Sequence, residues 1–303
     1  MKKHYLPLLA VLLAVFACQK PASDPSPAKP GSSEKFAVNF KVSGFSQVIA
    51  GNARSADTSV LQNAQKLIYV AFDANTDQMV SQQIKIASDS TFGEFRDSLP
   101  TGRYVVTVTA IKDTTCAAPV TDPLGVTIFK QGADIFYKRA IVSLTSSVDQ
   151  NMALDRVVSK MVYQFKGRIP FNAKKVSIRP YLAEAPSTLS SLLDFYTGTN
   201  KRNQHYNYYA YEYPIPDSLI GKEGLTISTY MINPAGTMSA DFSVHISDAT
   251  NKYIGGADIY KVLLKTNQTT LLTGYLFDSI PAGGGVQVKV NPNWGRDTIK
   301  VEF

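Results

Sequence analysis

Few side chains in this sequence are placed to do chemistry. Beyond His4 there are two histidines, His205 and His245; there is an oxygen-rich run, Asp73-Ala-Asn75-Thr-Asp77; there is a tyrosine-rich run from His205 to Tyr213; and there are two cysteines, Cys18 and Cys116. Hydrolysis by an activated serine, zinc-assisted peptide cleavage and phosphate binding each leave a spaced motif, because nucleophile, base and anion cradle must converge. No Gly-x-Ser-x-Gly elbow, His-Glu-x-x-His pair, P-loop or strand-borne Gly-x-Gly-x-x-Gly is present. The sequence assigns no catalytic residue, no metal ligand and no cofactor, and the chain reads as a non-enzyme.

The run Asp73-Ala-Asn75-Thr-Asp77 begins like a calcium loop, with oxygen ligands at alternate positions. Gln78 then stands where the sharp turn wants glycine, and Ile84 where a bidentate glutamate should close the site. A hairpin turn between Ile68-Tyr-Val-Ala-Phe72 and Met79-Val80 accounts for the same residues. Gly283-Gly284-Gly285 precedes no helical pattern and reads as a loop, and Trp294 as a residue packed at a sheet end.

In the tyrosine-rich run, Tyr209, Tyr211 and Tyr213 share one face of a strand. Rings with exposed hydroxyls can stack on sugars or pack at a protein interface. Tyrosine also favours pleated surfaces for its own sake, so core or edge packing is the competing reading. On the first reading the chain is a monomeric surface lipoprotein that binds glycan through Tyr206–Tyr213.

Cys18 ends an apolar run, Leu6 to Ala17, that follows Lys2 and Lys3. About 12 apolar residues are too few to span a bilayer, which takes about 20, but they suit a signal sequence. Val15-Phe16-Ala17-Cys18 resembles a lipobox, with an aliphatic residue, a small residue and the cysteine that receives lipid. Residues 1–17 are thus expected to be a signal peptide and Cys18 a lipidated N-terminus; secretory cleavage after Ala17 is the alternative. Cys116 then has no partner, so no disulfide supports the fold. Residues 18–34 are rich in proline and serine and read as an extended tether. The net charge is +7, and two of those charges leave with Lys2 and Lys3. The basic residues are scattered, which argues against nucleic acid as a partner.

From Phe36 the apolar residues recur with period two, in Phe36, Val38, Phe40 and Val42. Further strands are expected over 67–72, 79–86, 104–111, 124–129 and 135–144, and later over 158–165, 174–179, 225–232, 238–246, 260–264, 269–277, 286–290 and 298–303. Thr188 to Phe195 reads as one short helix. Many short strands with turn residues between them indicate an all-β fold, and the restart of the pattern after a polar stretch near 146–152 divides it into an N-terminal β-sandwich, 35–148, and a C-terminal one, 149–303.

Val38-Asn-Phe40-Lys-Val42, Leu67-Ile-Tyr-Val-Ala-Phe72-Asp73, Leu99-Pro-Thr-Gly102-Arg-Tyr104, Tyr260-Lys-Val-Leu-Leu-Lys265, Thr270-Leu-Leu-Thr-Gly274-Tyr-Leu-Phe277 and Val288-Lys-Val-Asn291-Pro-Asn-Trp294 stand in an order and spacing that resemble the fimbrillin and FimB-type fimbrial subunit lipoproteins. That resemblance implies two tandem transthyretin-like β-sandwich domains and a role in assembly and adhesion. It implies other fimbrial subunits as partners through strand exchange, attachment to the outer membrane by lipid, and a host or surface ligand left open. It also implies cleavage after an arginine in the loop behind the first strand, which anchor subunits escape. Arg54 stands there, as a cleavage site or as a solvated loop residue. Ile299, Val301 and Phe303 alternate with polar residues, and fit either a strand donated to a neighbour or the closing strand of the second sandwich.

Overall fold

The structure is a computed structural model, and it describes residues 34–48, 54–57, 64–112, 125–127, 133–181, 192–201, 210–234, 236–276, 290–291 and 299–302. Cys18, Cys116, His205, Tyr209, Gly283 to Gly285 and Trp294 lie outside them. The fold is all-β. Its only described helix is a 3-10 turn, Asp217–Leu219.

The first sandwich is built from β1 (Lys35–Val48), β2 (Arg54–Asp57), β3 (Lys66–Asp73), β4 (Met79–Ile86), β5 (Glu94–Pro100), β6 (Gly102–Ile111), β8 (Ile135–Leu144) and β9 (Val148–Arg156), while β7 (Gly125–Thr127) lies apart. One layer has the order β5-β1-β9, the other β8-β6-β3-β4. They meet at a corner, where Phe136 and Tyr137 of β8 pair with Arg156 and Asp155 of β9. Between them Val38, Phe40, Leu67, Tyr69, Phe95, Val106, Val108 and Leu154 form a closed apolar core. The alternation read in β1 arises here: every second side chain of a strand meets the same face, and burying that face drives the layers together.

The second sandwich repeats this plan with β10 (Val158–Lys166), β11 (Lys175–Tyr181), β14 (Tyr211–Pro214), β15 (Leu225–Ile232), β16 (Thr237–Ser247), β17 (Tyr253–Lys265) and β18 (Thr269–Tyr275). One layer runs β15-β10-β18 and the other β14-β11-β16-β17. As β1 does, β10 lies antiparallel to one neighbour and parallel to the last strand of its sandwich. Strand for strand the topologies coincide. The second sandwich adds β19 (Val290–Asn291) and β20 (Ile299–Glu302) at the edge of β18, with β20 parallel to it. β20 is therefore a closing strand of its own chain, one of the two readings held for the C-terminal segment.

A third apolar cluster lies on the outer face of β3, β6 and β8, where Ile68, Val70, Val105, Ile135 and Tyr137 meet Val158, Leu193, Phe195 and Ile232 from the later half of the chain. Leu193 belongs to β12 (Leu192–Asp194), which pairs with β7 and with β13 (Asn200–Lys201). Residues 192–194 are thus extended, where the sequence suggests the end of a helix. The border expected at 148/149 also moves. That polar stretch is β9, whose Met152, Leu154 and Arg156 turn inward while Asp149 and Asn151 face out, so the first sandwich continues through Arg156. A strand with one solvated face looks like a linker when its polar half is read alone.

Candidate functional site

β1 is a central strand, although it is the first among the described residues. Along one side Lys35 to Lys41 pair antiparallel with Pro100 to Glu94; along the other Val38 to Ser46 pair in parallel with Val148 to Asp155. Its Val38, Phe40, Val42 and Phe45 are 0–4% exposed. A register shift between Val42 and Gly44 lets Phe45 turn inward as well. Phe40 lies 6.0 Å from Tyr69, Tyr69 stacks on Phe95 at 5.3 Å, and Phe45 meets Phe136 edge-on at 4.6 Å. Burying four such side chains contributes roughly 6–12 kcal/mol at about 1.5–3 kcal/mol each, an upper figure for an extended-chain reference. Without β1, the sheet would present a slot with two open hydrogen-bonding edges and four apolar pockets.

On the outer face of the same three strands, Asn39 Nδ2 donates to Asp149 Oδ1 at 2.7 Å, and Glu94 lies 3.4 Å from Lys41 and 3.6 Å from Arg96. They line a shallow polar hollow of about 380 Å³. The ion pairs are solvated and contribute little to stability.

Arg54 opens β2, which pairs antiparallel with the end of β1 so that Arg54 stands opposite Val48. The sequence suggests a loop at this position; the backbone is a strand. β1 is the first strand among the described residues, so a cut after Arg54 would leave it joined to the strands that follow by non-covalent contacts alone.

The sequence groups Tyr209, Tyr211 and Tyr213 on one face of a strand, packed in the core or open to a ligand. Tyr211 and Tyr213 point into the second core, 6% and 8% exposed, beside Tyr163 and Phe242. Tyr213 Oη donates to the Ser228 carbonyl at 3.3 Å. Neither ring is free to stack on a ligand. Core packing, the competing reading, describes both.

His245 lies on the outer face of β16, with Ser243 Oγ 2.9 Å from its Nε2 and Tyr253 edge-on at 5.5 Å. Nucleophilic catalysis requires that a third group orient the base and that donors face the developing oxyanion. Among the described residues no carboxylate hydrogen-bonds to this ring. The Asp73 carboxylate accepts the N–H groups of Asn75 at 2.8 Å and Thr76 at 3.1 Å, which spends it on the hairpin turn.

Sequence reading missed β5 and β9, the two strands that hold β1. Phe95 and Leu99 on one, and Met152 and Leu154 on the other, carry the alternation that marks them, but each run is short and bordered by charges.

No family model and no curated protein matches the chain. Solved structures do align with it. An adhesin candidate from Bacteroides ovatus gives a TM-score of 0.49 at 11% identity, covering 80% of this chain and 88% of that one. The fimbrial anchor protein Mfa2 from Porphyromonas gingivalis gives 0.45 at 12% identity, covering 80% and 90%. The tip fimbrial protein Mfa3 from the same organism, with a C-terminal truncation, gives 0.37 at 10% identity, covering 86% and 100%.

Proposed function

We propose that this chain is a non-enzymatic subunit of a fimbrial or adhesive assembly, held at the outer membrane by lipid on Cys18, and that β1 is its exchangeable strand. The observation that carries the reading is the seat of β1: the first described strand, central in its sheet, with four buried side chains and a connection to the later strands that passes through Arg54. A strand of the same alternation from another subunit would satisfy the same main-chain groups and pockets, which is β-augmentation in the interior of a sheet. With Arg54 uncut, β1 stays in place and the chain serves as an anchor; with Arg54 cut, the slot receives a neighbour. The glycan reading, which rested on Tyr206–Tyr213, loses two of its rings to the core.

N-terminal sequencing of the cell-associated protein tests this. A start at Cys18 supports the anchor form and a start at Ser55 the processed form. A mature start inside a described strand other than β2, or monomeric protein after arginine-specific proteolysis with no high-mass ladder when subunits are mixed, would remove the exchange mechanism.

A further inference from the structure

A hollow of about 600 Å³ lies on the outer face of β15, β10 and β18. Those strands correspond in topology to β5, β1 and β9, and the hollow to the polar one on the outer face of the first sandwich. Each hollow is built on an amide, a phenylalanine and a lysine in succession, Asn39-Phe40-Lys41 in the first and Gln164-Phe165-Lys166 in the second. In both, the phenylalanine turns into the core and leaves the amide and the lysine on the outer face.

The two hollows spend their polar groups differently. In the first they bond to one another, Asn39 to Asp149 at 2.7 Å and Glu94 to Lys41 at 3.4 Å and to Arg96 at 3.6 Å. In the second, Gln164 stands between Thr226 of β15 and Thr273 of β18, as Asn39 stands between Arg96 and Asp149. Among the described residues the Gln164 amide, the Glu223 carboxylate and the Thr273 hydroxyl have no hydrogen-bond or ion-pair partner. Thr226 Oγ1 reaches only the Gly224 carbonyl, at 3.5 Å. Thr273 is 8% exposed and yet lines the hollow, so a hydroxyl that burial keeps from bulk water faces it with its bonds unmade. Such a group costs free energy that a ligand can return.

Spacing and chemistry select the ligand. Neighbouring strands lie about 4.8 Å apart, so hydroxyl, amide and hydroxyl form a row about 10 Å across, and Lys166 and Tyr275 form the next row about 6.6 Å along the strands. The half-buried Tyr275 ring, with Lys166 Nζ 5.6 Å from its centre, gives the hollow an apolar wall. Lys166 and Glu223 balance in charge, which favours neither an anion nor a cation. An apolar ligand would leave the whole row unbonded. A saccharide hydroxyl both donates and accepts, as an amide and a threonine do, and the C–H face of a sugar ring packs on tyrosine.

We propose that this hollow binds a neutral saccharide, with Thr226, Gln164 and Thr273 bonding its hydroxyls, Glu223 accepting from one at the rim, and Tyr275 packing on its apolar face. The site is independent of strand exchange, because it lies in the sandwich to which β1 does not belong.

Saturation-transfer NMR of the full chain, with neutral tetrasaccharides of glucose, galactose, mannose and xylose at millimolar concentration, tests this. At least one is expected to receive transfer at its ring protons, and its affinity by titration calorimetry is expected to fall about tenfold or more in Thr273→Val and in Gln164→Ala. Thr273→Val removes a hydroxyl that bonds nothing in the protein, so its thermal midpoint should not fall. Asn39→Ala, in the first hollow, should leave the affinity unchanged. Absence of transfer to all of these sugars, affinity kept in Thr273→Val and Gln164→Ala, a lowered midpoint in Thr273→Val, an equal loss in Asn39→Ala, or tighter binding of a sialylated sugar than of any neutral one would each overturn the proposal.

Discussion

Arg156 Nη1 donates to Asn267 Oδ1 at 2.6 Å, and so joins the last strand of the first sandwich to the turn between β17 and β18 of the second. The same guanidinium grips Asp134 through Nε at 2.8 Å and Nη2 at 3.1 Å, and lies 4.7 Å from the ring of Phe136. All of this is buried, with side-chain exposures of 3% for Arg156 and 6% for Asp134. A fork that satisfies two carboxylate oxygens and a neighbouring amide is what arginine does and lysine does not.

Arg156→Leu is therefore expected to destabilise the protein by about 3–5 kcal/mol, because it leaves the Asp134 carboxylate buried without its partner. Urea unfolding checks this. The double variant Arg156→Leu with Asp134→Leu should recover more than half of the loss, since it removes both charges; a double variant no better than the single one would contradict the account.

Truncating the first strand at its centre, Phe40→Ala, should cost about 3–5 kcal/mol by leaving a cavity against Tyr69. Lys41→Ala, on the solvated face, should stay within about 0.5 kcal/mol. If the two cost the same, the seat of β1 is not where the binding of that strand resides.

Tyr211→Ala is expected to lower stability by about 3–5 kcal/mol and to leave retention on immobilised glycans as it was, because its ring is core. Loss of glycan retention with the thermal midpoint preserved would restore the ligand-contact reading for this residue.

Burial pushes the Tyr230 hydroxyl up to about 12, with Asp134 adding to the shift and Arg156 opposing it. Burial likewise raises Tyr69, Tyr137 and Tyr163. A phenol raised in the folded state ionises first in the unfolded chain. The stability it supports is complete below the ordinary tyrosine value of about 10 and declines as pH rises above it. Tyrosinate absorbance should therefore rise in two stages, exposed rings near pH ~10 and buried ones together with loss of far-ultraviolet β signal. A single stage near that pH with the fold intact would exclude this ordering.

Gly198 has φ +70°, and a Cβ there would meet Tyr137 Cε1 at 2.5 Å. Gly198→Ala should cost about 1–3 kcal/mol by strain and overlap together. The turn it closes presents Phe195, whose carbonyl accepts Tyr137 Oη at 2.6 Å, so the variant should also weaken the third apolar cluster, measurable as faster amide exchange in β8.

The longer strands were legible in the sequence because each buries one face. β1, β3, β6 and β8 show their alternation or apolar runs openly, and the hairpin at Asp73 is written in its turn residues. Strands whose inward residues are few were not legible: β9 needs Arg156 counted as an inward position, which holds only because Asp134 and Asn267 are folded against it. The tyrosines left two readings open for a different reason. Alternation places Tyr211 and Tyr213 on one face, but which face meets the core is settled by the strands packed around them, β11 and β15.

The parallel and antiparallel ladders that flank β1 have a mechanical meaning. Eight residue pairs join it to β9 and seven to β5. Tension applied at Lys35 along the strand axis loads both ladders in shear, so their bonds share the load and cannot open one rung at a time from an end. Under a sustained pull, the time for which the strand stays seated is set by the rate of crossing that single barrier, not by the equilibrium stability of the sandwich.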